Sequence, residues 1–435
     1  MSANQIGVAV PTVLLPVEGV DLSTWAVIAC DQFTSEPEYW ERVERNVGSA
    51  PSTYRMILPE LYLNAPDVDA RIAACQAAMK AYLTDGVLAP HDAFVYVERT
   101  VGGKTQKGLV VALDLETYDY NKGSQTLVRA TEGTVLDRLP PRMRVRRGAD
   151  IESPHILVLY DDPTGAVLAP VRASLADLDV AYDVELMEGS GHLTGRFVSD
   201  AATQVAITDA LASLISAETY RAKYDLDNDR PLLFAMGDGN HSLATAKAIW
   251  TELKNTGAPM DHPARWALVE LVNLHDDSLV FEPIHRVIFE ADGLVPALAQ
   301  AFPTAVSTPM PDLAALDAAV RADGPNQRVG VISATGYRLL ELPDATHELA
   351  VGTLQEFLDA WLKANPQAEI DYIHGEAATD KLAKEPGTIG FLLPAIGKST
   401  FFKSIAVDGA LPRKTFSMGH AKDKRFYMEC RRISQ

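Results

Sequence analysis

Leu232-Leu233-Phe234-Ala235-Met236-Gly237-Asp238-Gly239-Asn240-His241-Ser242-Leu243-Ala244-Thr245-Ala246 decides how this chain is read. Its short apolar start predicts a buried strand, and the pattern beginning near Ser242 predicts a helix. Between them, Gly237 and Gly239 let the backbone turn tightly and leave amides uncovered at the helix start. Free N–H groups and the positive end of the helix dipole then point the same way, which suits an anion. Asp238 and His241 add an acid and an imidazole to that corner. Strand–glycine–helix junctions also occur with no such role, and Ser or Asn before a helix is ordinary capping.

Composition narrows the rest. The 435 residues carry 39 Lys and Arg against 58 Asp and Glu, a net charge of −19. Duplex nucleic acid and anionic membranes need a basic surface, so neither is expected as a partner. A small anionic substrate needs only a local basic pocket. Cys30, Cys75 and Cys430 are far apart and form no CxxC pair, so neither a disulfide framework nor a zinc site is expected, as in a reducing cytoplasm. The apolar N-terminal stretch is interrupted by Pro11 and Pro16 and lacks a basic start, unlike a signal peptide. The expected protein is soluble and cytoplasmic.

Outward from the turn, the chain alternates strand and helix signals. Ile6–Leu15 and Thr24–Ala29 read as strands, and Asp67 to Leu83 as a helix. Ala93–Glu98 and Gly108–Leu113 flank Gly102-Gly103 as a hairpin, and Ala201 to Tyr224 reads as one long helix. The fold class is α+β. Residues 1–290 form the core that carries the turn, 291–355 a smaller α/β lobe, and 356–435 a C-terminal segment returning toward the site.

Candidate chemistry lies in several stretches. Asp31, after a strand, suits a general base or metal ligand, while Glu36 equally offsets the dipole of the helix it begins. Arg129 to Gly133, with Asp137 and Arg138, opens the most basic segment. Guanidinium forks there match phosphate, and Arg129 and Arg138 are favoured, with Glu132 beside them. His155 precedes a strand, and His285 and Arg286 form a second set with Glu282. Gly397-Lys398-Ser399-Thr400 lacks the earlier glycine of a Walker A loop, where Leu392 stands. Leu411 to Gly419 is basic and hydroxyl-rich, followed by Lys422, Lys424 and Arg425. It reads either as a polar terminal strand or as a flap that closes a site.

Taken in order, Ala29–Asp31, Arg129–Arg138, Pro154-His155, Gly237–Ala246, Pro283–Arg286 and Pro412–Gly419 resemble a large bacterial family related to the ParB/sulfiredoxin superfamily, which includes free-serine kinases. Asp238-Gly239-Asn240-His241-Ser242 is similar to that superfamily's Asp-Gly-His-His-Arg turn. The resemblance implies a ParB/sulfiredoxin-like mixed core. It also implies a kinase passing phosphate from ATP, ADP or pyrophosphate to a free hydroxyl amino acid, L-serine first. Asn240 stands where sulfiredoxin chemistry needs a thiol, and Ser242 where the superfamily has arginine. The missing charge would come from Lys247, Arg286, Arg129 or Arg138.

In that scheme Gly237, Gly239, Asn240 and Ser242 hold phosphate, and Asp238 takes Mg²⁺. Asp31, or else Glu36, is the base, and His241 holds phosphate or moves a proton. Glu132, His155 and His285 complete the expected binding set. The alternatives are a nucleotide-binding regulatory protein without turnover and, against the net charge, a ParB-like nuclease.

Overall fold

The computed structural model describes residues 6–121, 123–227, 229–418 and 424–435. The chain divides into two units, Met1–Leu279 with His420–Gln435, and Val280–Gly419.

The first unit is built on a ten-stranded sheet. From one edge its strands run Val180–Glu185, His192–Val198, Phe94–Val101, Lys104–Asp114, Trp266–Asn273, Leu157–Tyr160, Phe234–Asp238, Val128–Arg129 and Tyr118–Asp119, with Val8–Ala9 on Lys104–Asp114. The sheet is mixed. Leu157–Tyr160 runs parallel to Trp266–Asn273 and antiparallel to Phe234–Asp238. Gly102 and Gly103, both at positive φ, turn the expected hairpin between Phe94–Val101 and Lys104–Asp114. Trp25, Trp40, Val95 and Val110 centre a large apolar cluster on this unit.

Two local readings change. Thr24–Ala29 is not one strand, because Asp21 caps a short helix, Leu22–Trp25, by accepting from the Ser23 amide at 2.9 Å; only Val27–Ile28 is extended. The helix expected from Ala201 to Tyr224 is two, Ala201–Ser213 and Ala217–Tyr224, because Ser216 caps the second by accepting from the Thr219 amide.

Residues 424–435 complete the first unit. Phe426–Tyr427 pairs with Val27–Ile28, Arg431–Arg432 with Ile151–Glu152, and Cys430 bridges to Leu14. Arg425, only 7% exposed, lies between the Glu270 and Glu429 carboxylates at 2.6 and 2.8 Å.

The second unit begins at Val280 rather than at 291, because Phe281–Phe289 is one of its own strands, paired with Glu369–His374, Ile389–Leu392 and Phe416–Met418. Every named pairing here is antiparallel. Helices Ala350–Ala364 and Leu294–Ala301 pack on an apolar cluster around Leu354, Leu358 and Phe391. The Gly397 stretch, rejected above as a Walker A loop, begins a helix, Lys398–Asp408.

Candidate functional site

The strand Phe234–Asp238 ends where helix Asn240–Asn255 begins, with Gly239 between them as N-cap in the left-handed region at φ 78°. A Cβ at this position would lie 3.1 Å from the Ile156 Cα, so both backbone angle and space demand glycine. Gly239→Ala is expected to cost about 1–3 kcal/mol, as a left-handed non-glycine residue pressed against neighbouring backbone. The fall in urea midpoint measures it, and an unchanged midpoint overturns the assignment. The helix therefore starts abruptly, with the first amides after Gly239 lacking intrahelical acceptors.

Asp238 is fixed on both oxygens. Oδ1 accepts from the Gly239 amide at 2.8 Å, and Oδ2 from Lys424 Nζ at 2.9 Å. Burial alone raises its pKa, but the Lys424 charge and His155 outweigh that and hold it below the usual carboxylate value. Lys424 thus places a cation on the turn, from a segment whose basic residues were noted in the sequence without a partner. Lys422 and Gly419 lie outside the described residues.

Buried His155 links three further elements. Its Nδ1 is 2.8 Å from the Tyr427 hydroxyl, which accepts from the Cys30 amide at 3.1 Å. Its Nε2 faces Ser242 Oγ at 3.4 Å and Asp31 Oδ1 at 3.7 Å. Asp31, His155 and Ser242, three separate candidates in the sequence, are thus brought together. Tyr427, the residue that orients the imidazole, carries no sequence signal of its own. The Cys30 thiol beside it is pushed far up by burial and then by Asp31, which disfavours the thiolate.

Asn240 Oδ1 and His241 Nε2 are buried with no hydrogen-bond partner among the described residues. Burial pushes the His241 pKa down to about 4, helped by the Arg142 and Arg138 charges and opposed by Asp31. Arg138 is exposed at the start of helix Leu139–Arg146, while Arg142 is clasped by Glu60 and donates to the Arg138 carbonyl at 2.7 Å.

A consequence for pH follows. His241 is held neutral in the fold and takes up a proton near 6.5 when unfolded. The His241 contribution to folding stability therefore falls as pH drops from about 6.5 to about 4, where the folded-state group finally protonates. His285 in the second unit, also lowered to about 4 by burial, adds the same sign. His241→Gln is expected to reduce the acid-side loss of melting temperature across that window. A variant curve parallel to the parent's overturns this.

Other expected site residues are engaged elsewhere. Arg129 is buried, with Nε donating to the Thr126 carbonyl at 2.9 Å and Nη2 to the Arg230 carbonyl at 2.6 Å; burial lowers its pKa. It holds loops together and does not present a free fork. Lys247 Nζ donates to the Leu115 carbonyl at 2.8 Å beside Glu116, so it does not replace the charge missing at Ser242. Arg286, fully buried in the second unit, is bonded to Gln355 and to the carbonyls of Ile284 and Lys414, with Tyr372 against its guanidinium. His285 Nδ1 accepts from the Leu393 amide at 3.2 Å, while its Nε2 is buried with no hydrogen-bond partner among the described residues. Both residues lie in the second unit. Arg425, noted in the basic tail, is held by its carboxylates. Glu36 is exposed and makes no capping bond, and Glu132 is partly buried. The Leu411 to Met418 stretch belongs to the second unit.

Among the described residues no three His, Cys, Asp or Glu side chains converge on a metal position, and no helix is long and apolar enough to cross a membrane. Asp238 alone is a carboxylate at the turn suited to Mg²⁺ carried on phosphate oxygens, and both of its oxygens already have partners.

A model of the family described as "Protein of unknown function (DUF1015)" matches residues 14–361, well over half of the chain. No curated protein matches. Among solved structures, the chain is similar to a free serine kinase in complex with AMP, at 12% identity and TM-score 0.38, covering 75% of this chain and 91% of that one. It is similar to a conserved hypothetical protein from Pyrococcus furiosus at 10% identity and TM-score 0.36, covering 75% and 95%. It is also similar to SbnI with C-terminal truncation from Staphylococcus aureus at 9% identity and TM-score 0.36, covering 73% and 85%.

Proposed function

We propose that this chain, which belongs to the family described as Protein of unknown function (DUF1015), is a phosphotransferase acting on a small alcohol, with free L-serine the first acceptor to test. The supporting observation is the Asp238–Lys424 pair on a glycine turn that opens a helix, beside two buried polar atoms without partners among the described residues. The resemblance of that turn to the superfamily motif supports the same reading.

Phosphoryl transfer gains most from alignment and from offsetting charge on the equatorial oxygens. The amides that follow Gly239 would hold the donor phosphate, be it from ATP, ADP or pyrophosphate, with Lys424 and Arg138 offsetting its charge. Mg²⁺ arriving on the donor would be held by Asp238 and would neutralise phosphate oxygens. Asp31 would take the proton as the substrate oxygen bonds to phosphorus and the bond to the donor's bridging oxygen breaks. His155, fixed by Tyr427, would position Asp31 and Ser242. The substrate is a small soluble molecule in the cytoplasm, without nucleic acid or membrane as partner.

The test is a donor-by-acceptor screen with Mg²⁺, reading the phosphorylated product by mass. Binding of a nucleotide with no product from any pair would favour a sensor instead. Asp31→Asn is expected to slow transfer by about 10²–10⁴-fold, the usual range for losing a general base, while leaving donor affinity within a few-fold. If donor affinity collapses instead, Asp31 is a binding residue.

A further inference from the structure

Ser242 and His155 also line a cavity of about 160 Å³ in the first unit, whose apolar wall the mechanism above does not use. Met56, Ile57, Leu58, Leu63, Met79 and Val145 are among the residues that line it. Four ionic side chains also border it in two ion pairs, and the Arg146 Nε is buried with no hydrogen-bond partner among the described residues. Arg142 bonds Glu60 with Nε at 2.7 Å, and Arg146 bonds Glu152 at 2.6 Å. Other hydroxyls on the wall are committed: Thr245 donates to the His241 carbonyl at 2.7 Å, and Ser153 to the Glu429 carbonyl at 3.1 Å. Ser242 differs, with a long 3.4 Å contact to His155 Nε2. The cavity is therefore apolar over most of its wall, with an adaptable hydroxyl at Ser242 on the glycine turn and the Arg142–Glu60 and Arg146–Glu152 pairs at its border.

An apolar cavity of about 150 Å³ is the size that accepts a benzene ring, and this one, partly open to solvent, matches it in volume. The geometry points to a ligand with a ring-sized hydrocarbon body and a single hydroxyl, the body among Met56, Leu58 and Met79 and the hydroxyl at Ser242 and His155. That the hydroxyl is the phosphoryl acceptor rests on the reading above; that the cavity takes such a body does not. Free serine, polar throughout, would leave the apolar wall uncovered, so the preferred acceptor is an alcohol with an apolar side chain.

The probe is benzyl alcohol, titrated into the full chain labelled at methionine methyls, with Met56→Leu and Met79→Leu used to assign signals. Saturable movement of both methyls, and none with glycerol, is the expected result. Ala149→Phe, filling the space from its edge, should abolish the shifts. Ser242→Ala should weaken benzyl alcohol several-fold, to the affinity of toluene, and this arm stands if the filled variant does not fold. Methyls that stay still in benzyl alcohol, or that move equally in glycerol, overturn the proposal. No donor or turnover enters this readout. An inactive protein that still binds the probe sinks only the kinase reading, and a serine kinase blind to it sinks only this one.

Discussion

Asp238→Asn is expected to lower phosphoryl transfer by at least about 10²–10³-fold, the scale seen when a charge-stabilising group is lost from a reacting centre. Asparagine keeps an oxygen for the Gly239 amide but leaves Lys424 without its carboxylate and removes the carboxylate proposed above to hold Mg²⁺. The fold should survive. The pair is partly solvated, so its loss costs on the order of 1 kcal/mol or less. Turnover measured beside a melting curve separates the two effects. Near-normal turnover would remove Asp238 from the mechanism, and a collapsed melting curve would recast it as structural.

The largest stability loss is expected from Arg425→Met. Glu270 and Glu429 are 3% and 1% exposed, so losing the cation strands two carboxylates away from water. Breaking such a buried network typically costs about 3–5 kcal/mol. Tyr182, whose hydroxyl donates to Glu429, and the Pro154 carbonyl, which accepts from Arg425, lose their geometry too. The residue before His155 is thereby disturbed, so activity should drop together with the denaturation midpoint. A midpoint within experimental error of the parent would mean that water or a rearranged lysine solvates the carboxylates.

Elements with strong local signals were legible. The glycine turn, the Gly102-Gly103 hairpin and helix Val68–Thr84 follow from periodicity and backbone freedom. The convergence of Asp31, His155 and Ser242 was readable only as three separate motifs. What was not legible depends on partners distant in sequence. Arg129 and Arg286 look like phosphate forks until the carbonyls that consume them are seen. Tyr427 and Lys424 become site residues only because the segment carrying them pairs with Val27–Ile28. Capping by Asp21 and Ser216 overrode apolar patterns that read as a strand and an unbroken helix.

The interrupted path of the first unit has a consequence for biosynthesis. Lys424, Tyr427 and Arg425 follow the whole of Val280–Gly419 in the chain, yet they pair with residues made long before. A ribosome must translate that entire insert before the turn gains its lysine and His155 its phenol. Until then the nascent N-terminal part carries Glu270 without its arginine and an unpaired Val27–Ile28 edge, a state exposed to aggregation. Pulse-labelled chains stalled between residues 280 and 419 should therefore be protease-sensitive in their first part.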